Sequence, residues 1–192
     1  MMERTGIAFT RHWRRLRADT KGVAAIEFAM LAPILLMIYL GAFNLSIGFD
    51  LDRRTARAAS TVADLLTQRD QTDKATLDSM KTVTESILAP FTVTNYTLKM
   101  TAIKVTAAGV GTVLWSRDQA GNKPYAKGAI VVVPTDLSTI NSVLVHSELT
   151  VPYQLSLFTP MPSAANSVSI INLSKDYYFR QRVGDDIKCP DC

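Results

Sequence analysis

Apolar residues follow three different spacings along this chain. From Val23 to Phe49 they run almost without interruption, over more than the roughly 20 residues that a helix needs to cross a hydrocarbon core of about 30 Å. This run predicts a transmembrane helix. Beyond Asp50 the spacing becomes three-and-four, with Leu51, Thr55, Ala58, Val62 and Leu65 on one side and Arg53, Arg54, Arg57 and Asp64 elsewhere on the wheel. The helix therefore continues to about Thr67 and lays an apolar stripe on a globular head. Gln68 to Thr72 is polar and breaks the run. Asp73 then caps a second helix that carries Leu77, Met80, Thr84, Ile87 and Leu88 on one side, and Pro90 stops it.

After Pro90 the period drops to two. Tyr96, Leu98, Met100 and Ala102 alternate with Thr97, Lys99 and Thr101, which predicts a strand. Val110 to Ser116 gives a second strand, and Asp118 to Lys127, with Gly121, Asn122 and Pro124, a connecting loop. Ile130 to Val133 is a short apolar run whose type the spacing leaves open. The strongest alternation runs from Val143 through Val145, Leu149, Val151, Tyr153, Leu155 and Leu157, opposite His146, Glu148, Thr150, Gln154 and Ser156. It predicts a long antiparallel strand with one wet face. A last strand falls at Ser167 to Leu173 or at Tyr177 to Arg180. The fold class is α+β: a long transmembrane and amphipathic helix, a short second helix and a small antiparallel sheet. The segments are a leader at 1–22, a transmembrane helix at 23–49 and a head at 50–192.

Charge sharpens the membrane assignment. The formal net charge of +4 over 192 residues sits wholly before Val23, where Arg4, Arg11, Arg14, Arg15, Arg17 and Lys21 outweigh Glu3 and Asp19. Basic residues beside an apolar run stay in the cytoplasm, so the N-terminus is expected there and the C-terminus outside. The same placement argues against nucleic acid as a partner. A removable secretory signal has a shorter apolar core of about 7 to 15 residues. The length of the run and an acid within it argue against twin-arginine export at Arg14 and Arg15.

That acid is Glu27, the one charged side chain between Val23 and Phe49. A carboxylate at the centre of a membrane helix costs about 2.5 to 3.5 kcal/mol. Glu27 either snorkels to the headgroups or has a role. It stands five residues after Gly22 and directly before Phe28, in Lys21-Gly22-Val23-Ala24-Ala25-Ile26-Glu27-Phe28. This string resembles the processing site of type IV prepilins, and its Glu-Phe pair is similar to the TadE-like minor pseudopilins of tight-adherence pilus systems. Thr61 to Gln68, Glu148 to Phe158, and Tyr178 to Arg182 with the tail to Cys189 share in the resemblance.

The resemblance implies a pilin-like fold and cleavage between Gly22 and Val23 by a prepilin peptidase. It implies a processing and assembly motif at Glu27 and Phe28. The implied partners are that peptidase, other pilin and pseudopilin subunits, the pilus assembly platform and membrane lipid; the implied place is the bacterial inner membrane, single-pass, with a periplasmic head and incorporation into a pilus. A glycine before the scissile bond lets the backbone enter a narrow cleft. Cleavage would leave the Val23 ammonium about one helical turn from Glu27, so that neighbouring copies can exchange opposite charges. Ala24, Ala25, Ala29, Ala32, Gly41 and Ala42 are small enough for close helix approach, and Pro33 falls inside the span.

Other chemistry finds little support. His12 and His146 are the two histidines and neither has a partner motif, so His146 is expected to be a solvated strand residue. No serine elbow, phosphate-binding glycine loop or metal-ligand spacing occurs, and no catalytic residue, cofactor or metal is assigned. Cys189 and Cys192 are too few for a structural zinc site; a disulfide and two free thiols both remain open. Asn44, Asn95 and Asn172 open Asn-x-Ser/Thr triplets, taken as chance. The competing functional expectation is an uncleaved signal-anchor protein whose periplasmic domain binds a ligand or partner, which a pocket of convergent polar groups would favour.

Overall fold

The computed structural model describes residues 22–154 and 170–192. The leader before Gly22, and Leu155, Ser156, Leu157 and Ser167 of the expected strands, lie outside the described residues. The first element, α1, runs unbroken over Val23–Thr67 with Pro33 inside it. The described residues divide into two units that part between Leu45 and Ser46. In the first, the apolar side chains are uncovered: Phe28 is 69% and Tyr39 66% exposed. Asn44 satisfies its amide locally, its Nδ2 donating to the Leu40 carbonyl at 3.0 Å, which removes a polar group from an apolar surface at no tertiary cost.

In the second unit the outer part of α1 buries Leu51, Thr55, Ala58, Ala59, Val62, Ala63, Leu66 and Thr67. The three alanines keep the helix surface flat, so a neighbouring layer can pack closely, and the Thr55 hydroxyl donates to the Leu51 carbonyl at 2.8 Å. Helix α2 spans Lys74–Leu88, with Asp73 as its N-cap accepting from the Thr76 amide at 2.7 Å. It buries Leu77, Met80, Thr84 and Leu88.

Among the described residues five antiparallel strands form the sheet of the head: β1 (Thr97–Ala107), β2 (Val110–Asp118), β3 (Ile130–Val132), β4 (Val143–Gln154) and β5 (Ile170–Arg180), in the spatial order β3-β2-β1-β4-β5. The two alternatives for the last strand are parts of one strand. The ambiguous apolar run is a three-residue edge strand. On one face Leu98, Met100, Ala102, Trp115, Val145, Leu149 and Val151 join the helices in the main core. The alternation in β1 stops being legible after Ala102 because the sheet is covered on both faces there. A register shift separates Ala102 from Ile103. Ile103, Val105, Val133 and Leu144 form a second, smaller core on the far face.

The C-terminal tail is part of the core. Ile187 is 1% exposed within the main cluster, and its carbonyl accepts from the buried Trp115 Nε1 at 2.9 Å. Lys188 lies in a parallel bridge with Gln71: the Thr72 amide donates to Lys188 at 2.8 Å, and the Lys188 amide donates to Asp70 at 3.0 Å.

Candidate processing and assembly segment

Gly22 directly precedes α1, and Val23, Ile26, Glu27 and Phe28 occupy its first turns. All are exposed. A side-chain carbon added at Gly22 would meet nothing within 4 Å among the described residues. Glu27 stands one turn from Val23 on the same helix face. The apolar side chains around it are unburied, and the most hydrophobic 18-residue stretch of α1 is 0% buried. An uncovered helix this long and apolar is able to cross a membrane.

Two features of the head bear on chemistry. On the outer face of the sheet His146 stacks on Tyr178, with ring centroids 4.0 Å apart and planes 6° from parallel. This corrects the expectation of a solvated histidine: its side chain is only 12% exposed, because β5 places Tyr178 directly across from it. Burial pushes the imidazole below its ordinary value, opposed by Glu148 and Asp176 and reinforced by Lys99. Glu148 is itself engaged. Its Oε2 accepts from the Tyr125 hydroxyl at 2.9 Å, and Lys99 Nζ lies 3.5 Å from Oε1. Burial first, then Glu148, raises the Tyr125 phenol to about 12. The nearest oxygen of Glu148 is 3.8 Å from His146 Nδ1, and the buried Nε2 makes no hydrogen bond among the described residues.

The second feature is an open cleft of about 550 Å³ at the end of α2, lined by Lys81, Glu85, Phe91, Tyr96 and Gln119 among others. Three of its polar side chains, Glu85, Tyr96 and Gln119, are hydrogen-bonded within its wall. The Tyr96 hydroxyl donates to Glu85 at 3.2 Å. Gln119 accepts from the Leu98 amide at 2.7 Å and donates to the Tyr96 carbonyl at 2.9 Å.

Cys189 and Cys192 are bridged, with Cα atoms 5.4 Å apart. The bridged tail closes on α2, where the Lys74 amide donates to the Asp191 carboxylate at 3.2 Å. Asp191 thus places a negative charge at the positive end of the helix. This role of Asp191, like that of Ile187, carries no periodic signal in the sequence.

Fold and segment together define a protein with an N-terminal helix long and apolar enough to cross a membrane and an α+β head on its C-terminal side. Residues 22–64 match the family model described as TadE-like protein, consistent with a TadE-like protein of tight-adherence pilus systems. The match opens at Gly22 and ends inside α1, so it covers the anchor and the first part of the helix stripe. No curated protein and no solved structure matches the chain.

Proposed function

We propose that this protein is a minor pseudopilin: a structural component in the assembly of a tight-adherence pilus. It is inserted with its N-terminus in the cytoplasm and its head in the periplasm, cut between Gly22 and Val23 by a prepilin peptidase, and assembled through its apolar helix. The observation that carries this is the unburied apolar helix with a single acid, Glu27, near its start, in the segment matched as TadE-like. An unpaired carboxylate is costly in lipid, and the ammonium created at Val23 supplies the opposite charge from another copy. The role is structural rather than catalytic, a reading supported by the match of the anchor segment to the TadE-like family model.

Intact mass of the membrane-expressed chain, with and without a prepilin peptidase, tests the cleavage. Loss of the residues before Val23 is expected only with the peptidase, and Gly22→Trp should remain full length. Glu27→Ala should be processed yet absent from sheared pili. A chain that keeps Met1 beside active peptidase refutes the processing step, and normal assembly of the alanine variant refutes the charge pairing.

A further inference from the structure

The end of the head nearest the apolar run carries surface that its own core does not use. Tyr153, near the end of β4, lies against Gly48 of α1: a carbon added at Gly48 would sit 3.1 Å from Tyr153 Cε1. Across the β4–β5 pair, Tyr153 is opposite Ile171 and Gln154 is opposite Ile170. Further along β5, Lys175 Nζ is 2.9 Å from Asp52 Oδ1 of α1. These contacts fix the direction of the strand. Traced back from Lys175 to Ile170, β5 descends beside the helix from Asp52 to Gly48, toward the helix N-terminus. It ends in two isoleucines that are 62% and 47% exposed. Phe49, next to Gly48, is 61% exposed at the same level.

Two arginines stand just above this apolar rim. Arg53 and Arg57 are one turn apart and exposed, and their side chains make no ion pair among the described residues. Their neighbours are used differently: Arg54 is held by Asp50 at 2.9 Å and lies over Phe91, while Lys175 is held by Asp52. Helical side chains lean toward the helix N-terminus, so both guanidinium groups are directed back toward the rim.

We propose that this rim is a second membrane contact: Phe49, Ile170 and Ile171 enter the interfacial layer of the phospholipid bilayer, and Arg53 and Arg57 pair with lipid phosphates. It rests on the reading of Val23 to Phe49 as membrane-spanning. The dimensions agree. The interfacial layer is about 5 to 8 Å deep on each side of the hydrocarbon core. Arg53 lies about 6 Å up the helix from Phe49 and Arg57 about 12 Å, within reach of a side chain that bends back. Charge complementarity selects lipid over a second copy of the same rim, because two copies would oppose arginine to arginine while phosphates answer both. The head is then held at the anchor and at the strand end, which fixes its orientation on the membrane.

The test uses the full chain in vesicles of phosphatidylcholine and phosphatidylglycerol, with or without brominated acyl chains. An environment-sensitive fluorophore is placed in turn at Ile171→Cys, Ile170→Cys, Leu36→Cys in the apolar run and Ala108→Cys at the opposite end of the sheet. Labelling without reductant leaves the Cys189–Cys192 bridge closed. Brominated lipid should quench the labels at 36, 170 and 171 by about twofold or more and leave 108 unchanged. Arg53→Gln with Arg57→Gln should weaken quenching at 171, and more so in phosphatidylglycerol-containing vesicles, whose phosphates carry no compensating choline, than in pure phosphatidylcholine. Quenching at 36 with 170 and 171 behaving like 108 overturns the rim contact and leaves the anchor standing. No quenching at 36 overturns both. Cross-linking of 171 to a second copy without lipid quenching assigns the surface to a subunit interface instead.

Discussion

Ile187→Ala tests whether the tail belongs to the fold. Ile187 is 1% exposed and packs in the main core. Truncation removes three buried carbons, worth about 2.4 kcal/mol at about 0.8 kcal/mol each. A residual cavity of about 50 Å³ adds about 1 kcal/mol. The main-chain carbonyl that receives the Trp115 Nε1 bond is retained, so the whole effect is one of packing. A loss of about 3 to 4 kcal/mol lowers the unfolding midpoint of a chain this size by about 6 to 16 °C. The assay is thermal unfolding of the full chain in detergent, followed by near-ultraviolet circular dichroism from the buried indole. Hydrogen exchange gives an independent reading: the amides of Thr72 and Lys188, which bond across the tail, should lose protection ahead of the sheet. A midpoint shift below about 2 °C with both amides still protected would show that the tail contributes nothing to the core.

Two further perturbations probe other parts of the head. Gly111→Ala places a carbon 2.3 Å from Ile103 Cγ2 and 3.3 Å from Val133 Cγ1; overpacking of the smaller core should cost about 1 to 3 kcal/mol by chemical denaturation, and an unchanged midpoint would mean that the two strands separate freely. His146 gives a pH signature. Its folded pKa lies below its ordinary value, so the unfolded chain takes up the proton first. The stability this residue supports is complete above the ordinary histidine range and is lost as pH falls toward the lowered value. Since the other histidine, His12, lies in the leader, unfolding midpoints measured from about pH 8 down to pH 5 should fall more steeply for the native head than for His146→Gln; parallel curves would refute the assignment.

The long helix, its stripe and the cap of α2 were legible because each is local. Leu51, Thr55, Ala58 and Val62 repeat at the helix period, and Asp73 lies three residues from the amide it caps. The strand alternation of Tyr96 to Ala102 and of Val143 to Tyr153 was legible for the same reason: one face of the sheet meets the helices along most of its length. The pattern failed where both faces are covered. Ile103 and Leu144 face the second core while their neighbours Ala102 and Val145 face the main one, so successive residues are buried and the period disappears.

By itself the sequence determined the membrane-length apolar run, the basic leader, the lone Glu27 after Gly22 and the order of helices and strands, because hydropathy, charge and short-range capping are written in neighbouring residues. Tertiary structure alone decided that β5 pairs beside β4 and sets the Tyr178 ring against His146, which turns a wet-looking position into a covered one. It also decided that Ile187 and Asp191 return to complete the core and the α2 terminus, and that Tyr153 and Ile171 come level with Gly48. Each of those joins residues distant in the chain, and no local spacing records where such a closure will fall.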